Sequence, residues 1–293
     1  MTMTASQTLS SSSAISPRRS RSMTVVALCT VVTGMVLGPS VSAQTYRLRD
    51  GRVLSAEQVT VRGNRLIQAV DRGKPGQAEI GFPVASVVAM EWPDPPELSL
   101  GRAAFAALRF EEARSAADSV AGQFSVFAEV PGSWWGDAEL LRLRSLVALQ
   151  RAAEAKGPAE VLAQRSVGGA VAVSARLLLV EFALGEKRFG EAKAALAEIL
   201  KSPQPASIEA QAAVLLGDLY AAELAWESAL EAYLQIPAFH STRRDLLSKA
   251  LLGSARAYRG LGDRGRVERT LLELSDDFPN STEAKQAERE FKP

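Results

Sequence analysis

Between residues 44 and 92 apolar and polar positions alternate in short runs, and from residue 98 onward apolar positions recur at intervals of three and four. A two-residue period marks a strand with one buried face, and a period near 3.6 marks an amphipathic helix. The change falls at Trp92-Pro93-Asp94-Pro95-Pro96, a proline cluster that neither element runs through. The pattern predicts an α+β chain, with a small β module over 44–96 and an all-α region over 97–293.

In the first region, residues 46–49 and 52–54 flank Asp50-Gly51, a dipeptide suited to a tight turn with positive φ. Val59 and Val61 alternate with polar residues up to Gly63-Asn64, and Leu66, Gln68 and Val70 continue the alternation on a returning strand. Strands around Ala78-Glu79-Ile80 and over 87–92 bring the total to four or five. So small a module buries too little apolar surface to stand alone. It is therefore expected to curl into a barrel and lean on the helices. Strand count and turn placement resemble small SH3-like or Sm-like barrels.

In the second region, Ile208, Ala212, Leu215, Leu216 and Leu219 form an apolar stripe along one helix face. Leu216-Gly217, Tyr220, Ala229 and Tyr233 add a finer pattern: a glycine where a neighbour approaches closely, a small residue where two helices are tightest, and aromatics filling the remaining space. This pattern resembles the tetratricopeptide repeat, a helix-turn-helix unit of about 34 residues. Ala255, Tyr258, Val267, Leu271 and Leu274 repeat it downstream, with Pro279 closing the unit. Val180, Ala183, Phe189-Gly190-Glu191-Ala192 and Leu196 repeat it upstream, as do Gly101, Ala104 and Phe110-Glu111-Glu112-Ala113. A weaker unit lies between, with Leu146, Val147 and Ala159. Taking Gly101, Val147, Val180, Gly217 and Ala255 as equivalent gives steps of 46, 33, 37 and 38 residues and about five helical pairs. A generic array of helical hairpins is the alternative. The closing segment around Phe278-Pro279-Asn280-Ser281 is similar to the last repeat of envelope proteins of this type, such as the periplasmic Tol–Pal coordinator and the outer-membrane assembly lipoprotein. Asn280 is expected to cap the final helix, with Glu283 three residues on.

The leader places the chain. Arg18, Arg19 and Arg21 precede an uncharged apolar run over 23–37, then Gly38-Pro39 and the small-residue site Val41-Ser42-Ala43. That order is a secretory signal, with cleavage expected after Ala43 and a periplasmic or secreted product. An uncleaved anchor is the alternative, although the run falls short of the ~20 residues a span requires. Cys29, the only cysteine, lies inside the run behind Leu28, which disfavours lipidation and leaves the exported chain without thiol chemistry. Removing the three arginines from 34 basic residues leaves 31 against 33 acidic, a net charge of −2 that offers no electrostatic case for nucleic acid or an anionic membrane.

Candidate chemistry is sparse. His240 is the sole histidine, in an inter-helix turn, so a catalytic triad or a multi-histidine zinc site is excluded by count. Glu111-Glu112 and Asp276-Asp277 are adjacent pairs whose side chains diverge by about 100° on a helix. Gly260-Leu261-Gly262-Asp263 reads as a turn between helices, and the arginines over 256–269 alternate with acids as a solvated face. No cofactor or metal is implied. The most unusual segment is Pro131-Gly132-Ser133-Trp134-Trp135, whose two tryptophans either anchor a partner or plug the gap between the β module and the first helices. The resemblance implies a non-catalytic scaffold that binds a protein or peptide partner in the cell envelope. A self-associating structural protein is the alternative, and a hydrolase with accessory repeats a more distant one.

Overall fold

The structure, a computed structural model, describes residues 44–69, 78–165 and 169–291. The leader with its cleavage site at Ala43, Cys29 and Val70 lie outside the described residues.

Among the described residues six strands form where alternation predicts four or five. β1 (Thr45–Leu48) lies between β2 (Val53–Ser55) and β6 (Val87–Glu91), and β4 (Arg65–Ala69) lies between β3 (Val59–Arg62) and β5 (Glu79–Pro83), all antiparallel. Gly51 takes φ +87° in the β1–β2 turn. The expected closed barrel is not formed: among the described residues the strands make two separate three-stranded sheets. Single-turn 3-10 segments at Ala56–Gln58 and Val84–Ser86 carry the chain from one sheet to the other in place of a continuous ladder.

The module shares its core with the helices. Tyr46, Leu48, Leu66, Phe82 and Met90 pack in one cluster with Leu98, Val120, Phe124 and Phe127. That answers the shortage of apolar surface in so few residues.

Among the described residues eleven α-helices follow, ten of them paired: α1 (Pro96–Ala106) with α2 (Phe110–Phe124), α3 (Trp135–Ala148) with α4 (Ala152–Ala163), α5 (Gly169–Gly185) with α6 (Phe189–Leu200), α7 (Ala206–Ala222) with α8 (Trp226–Phe239), and α9 (Arg244–Gly260) with α10 (Arg264–Asp277). α11 (Thr282–Glu290) stands alone at the end. All five pairs turn the same way. Leu108, Gln150, Lys187, Leu224 and Gly262 sit in the left-handed region, with φ between 60° and 77°. The residue after each donates its N–H five residues back, as Arg109 does to Ala104 O at 2.8 Å and Ala225 to Tyr220 O at 2.9 Å. The left-handed residue itself donates three back, as Leu224 does to Ala221 O at 3.1 Å. This double closure is a Schellman motif, which satisfies the orphan carbonyls of the first helix and reverses the chain.

The left-handed residues also correct the repeat register. They are 42, 37, 37 and 38 residues apart, so Leu143, not Val147, is equivalent to Gly101, Val180, Gly217 and Ala255. Likewise Ala155, not Ala159, matches Ala113, Ala192 and Ala229, and all four of these alanines are fully buried. A four-residue slip is about one helical turn and leaves the apolar stripe in phase, so periodicity alone cannot detect it.

The odd-numbered helices touch in succession from α1 to α11, and each even helix packs between the odd helices before and after it. The result is a two-layered stack. The Tyr233 ring fills the joint between its pair and the next: it lies against Gly217 on one side and Gly253 on the other, and neither position has room for a Cβ. Trp226 packs on Gly260 in the same way. At the end of the stack Ser281, not Asn280, caps α11, accepting from Ala284 N at 3.0 Å, because the helix starts one residue later than the capping pattern implied.

Candidate functional site

The repeat register brings charged residues into one row. The sixth residue before each left-handed turn is Arg102, Arg144, Glu181, Asp218 and Arg256, in α1, α3, α5, α7 and α9. The thirteenth before it, two turns earlier on the same helix, is Asp137, Ser174, Gln211 and Lys249 in α3, α5, α7 and α9. These residues interact along the odd-helix layer. Arg102 meets Asp94 at 2.9 Å and reaches Asp137 of α3 at 3.5 Å. Arg256 pairs with Glu290 of α11 at 2.7 Å. Arg144 reaches beyond α5 to donate to Gln211 Oε1 of α7 at 3.0 Å. That contact spans α5, so the side chains of the row lie on one face of the odd-helix layer.

Desolvation dominates the electrostatics of the row. Desolvation by the surrounding wall pulls the Arg144 guanidinium pKa down, and the positive charge of Arg243 adds to this against the pull of Asp245 and Glu181. Desolvation likewise pushes Asp218 up, outweighing the hydrogen bond from the Tyr233 hydroxyl at 2.7 Å and the charges of Lys249 and Arg256. Arg144 is only half-buried and Asp218 is exposed. Both groups feel the charged neighbours on this face more strongly than fully solvated groups would.

The two tryptophans lie elsewhere. Trp134 immediately precedes α3 and Trp135 is its first residue, so the second tryptophan is helical and not in a loop. Both are half-buried against the shared aromatic core. Trp134 Nε1 donates to Trp92 O at 3.3 Å, and the Arg165 guanidinium lies 4.0 Å from the Trp135 ring centre. The loop before them is clamped to the sheet: Met90 N donates to Pro131 O at 2.8 Å, and Gly132, at φ +80°, leaves no room for a Cβ beside Met90 O. A cavity of about 400 Å³ opens here, bounded by Trp92, Trp134, Trp135 and Arg165 among others. The Trp92 indole N–H is buried without an acceptor among the described residues. The pair thus packs between the β module and the first helices and also borders the cavity.

The remaining candidates fall apart spatially. His240 ends α8. Glu111 and Glu112 are exposed and pair separately, Glu111 with Arg114 at 2.8 Å and Glu112 with Arg109 at 2.7 Å. Among the described residues no group of three or more His, Cys, Asp or Glu is placed to hold a metal ion, and no helix is long and apolar enough to cross a membrane.

Reading the sequence by apolar spacing missed the charged row, because the row appears only once the five turns are aligned. A signal was present. Arg-x-x-Glu-Ala occurs at 109–113, 151–155 and 188–192, and each copy opens an even helix with an arginine–glutamate pair three residues apart. No family model matches the chain, and comparison with curated proteins gives no match.

Proposed function

We propose that this protein is an exported, non-catalytic scaffold of the cell envelope, a tetratricopeptide-type solenoid that binds a protein or peptide partner along its odd-helix wall. The carrying observation is the coincidence of five identically closed helical pairs with one row of charged side chains along the inner layer. Stacked hairpins present a continuous concave surface to partners, and polar groups on such a surface select among them. Export follows from the leader before Ala43, and the periplasm is the compartment this reading favours. The tryptophan pair serves the fold in this reading, holding the β module against the first hairpins.

Affinity capture from solubilised envelopes tests it. The parent protein recovers one partner reproducibly. A bulky Glu181→Trp change on the wall abolishes recovery, and Glu231→Trp on the outer helix α8 leaves it intact. Loss on Trp134→Ala with Trp135→Ala, with Glu181→Trp still active, moves the contact to the α3 entrance and refutes the wall. Recovery of nothing but the protein itself favours self-assembly.

A further inference from the structure

Three of the chain's four tryptophans meet at one place outside the charged row. Trp92, Trp134 and Trp135 border the cavity of about 400 Å³ at the start of α3. None of Arg144, Glu181, Asp218 and Arg256 lines it, so a ligand here is independent of the wall reading and goes beyond it. The volume lies at the lower end of small-molecule sites, roughly 300–1,000 Å³. Its walls are fixed in advance. Trp134 is tied through Nε1 to Trp92 O at 3.3 Å, Trp135 lies under the Arg165 guanidinium at 4.0 Å, and the backbone at Pro131-Gly132 is clamped to Met90. A site already in shape loses little freedom on binding.

The charges around the cavity cancel. Among the described residues Asp137, Glu91 and Arg165 are the charged side chains that line it. Each faces an opposite charge: Arg102 stands 3.5 Å from Asp137, Arg47 2.7 Å from Glu91, and Glu129 2.8 Å from Arg165. A cation or an anion entering therefore meets as much repulsion as attraction. Hydrogen-bonding capacity is left over. The Ser133 hydroxyl accepts from Trp135 N at 3.3 Å, and its own hydrogen has no acceptor among the described residues. Asp137 meets Arg102 at a distance longer than a good hydrogen bond. Burial, opposed by Arg102, already pushes its carboxyl pKa up. A purely apolar guest would bury that carboxylate further and donate nothing to it.

We infer that the cavity binds a neutral pyranose sugar, as a mono- or disaccharide, with its C–H face on the tryptophans and its hydroxyls on Asp137 and Ser133. A hydroxyl both donates and accepts, so one kind of group answers the carboxylate and the serine alike. The faces of the ring are apolar and its edge is polar, which matches indoles bordered by polar side chains. A closed ring also surrenders less rotational freedom on binding than an open-chain polyol.

The test uses the protein purified from cells expressing the full chain. Glucose, galactose, N-acetylglucosamine and the β-1,4-linked disaccharides of glucose and of N-acetylglucosamine are screened by saturation-transfer NMR, which registers weak complexes. Those that bind are titrated by tryptophan fluorescence. At least one neutral sugar should bind and shift the emission, since three of the four indoles border the site. The amino-sugar and uronic-acid forms of that sugar should bind at least about tenfold more weakly. Asp137→Asn keeps the size of the side chain and removes its charge, and it should weaken binding about tenfold. Val171→Phe enlarges a side chain that lines the cavity and should abolish binding. A near-ultraviolet dichroism spectrum unchanged from the parent shows that a variant is folded, and Asp137→Asn carries the test alone if Val171→Phe is not. Three results overturn the inference: no neutral sugar bound, a charged form bound as tightly as the neutral one, or an affinity that the folded variants leave unchanged.

Discussion

The stack is closed at its two ends by different means. At the N-terminal end a β module without a core of its own buries Tyr46 and Met90 against Leu98, Phe124 and Phe127, and rings interlock there: Trp92 meets Phe124 edge-on at 5.4 Å and Tyr46 stacks on Phe127 at 5.4 Å. At the C-terminal end a short polar helix, α11, buries Ala284 and Ala287 in a smaller apolar cluster with Leu251, Leu252 and Leu274 and is tied down by charge as well. Its Glu290 binds Arg256 and Arg259 at once, and Arg259 also lies over the Phe291 ring at 4.3 Å. An open helical stack must hide its last apolar face at either end. The contrast teaches that charge adds to the closure at the C-terminal end and not at the other, so the two should fail under different conditions.

The strongest way to break the comparison is Phe124→Ala. Removing a fully buried ring should cost about 3–5 kcal/mol. If the core is shared, the β module and first hairpin should lose structure together, read by near-ultraviolet dichroism during urea unfolding. Separate transitions would mean that the module folds alone. At the other end Glu290→Gln should cost about 1 kcal/mol, since the clasp is partly exposed. Its pH dependence has a definite sign. Burial pushes the Glu290 carboxyl up, but the hydrogen bonds and charges of Arg256 and Arg259 prevail and hold it below its usual 4.5. The clasp therefore contributes in full above that value and is lost as pH falls through the lowered one. The stability gap between the parent and Glu290→Gln should close in acid, whereas the gap for Phe124→Ala should persist. Ser281→Ala, which removes the cap of α11, should cost about 1 kcal/mol or slightly less. The smallest effect should come from salt: raising it from 0.1 to 1 M shortens the screening length from about 10 to 3 Å, which should narrow the gap for Glu290→Gln and not that for Phe124→Ala.

The two ends also differ in how far the sequence reveals them. Asp50-Gly51 and the strand alternation identify the hairpin and most strands, because turn chemistry and burial are local. Whether six short strands close a barrel depends on how the chain crosses between sheets at Ala56–Gln58 and Val84–Ser86, which alternation does not encode. Among the helices, Gly217, Tyr220, Ala229 and Tyr233 locate one pair correctly, since the glycine marks a contact with the Tyr233 ring. The unit around Leu143 is misplaced by four residues because Ala155 and Ala159 are both fully buried on one face. Four of the five left-handed turn residues are not glycine, so the turn residue itself leaves no compositional trace, and only the Arg-x-x-Glu-Ala after three of them marks the register. The charged row inherits that difficulty: single arginines and acids on helices read as solvated until the turns are aligned.

The central claim is that the odd-helix wall meets the partner, and site-specific photo-crosslinking in growing cells tests it most directly. A photoreactive residue is placed at Glu181 or Asp218 on the wall, or at Glu160 or Glu231 on the even helices, all four exposed. The account predicts one heavier adduct of constant mass from the wall positions and none from the outer ones. An adduct formed only from the even helices, or only one with twice the mass of the chain, would contradict it.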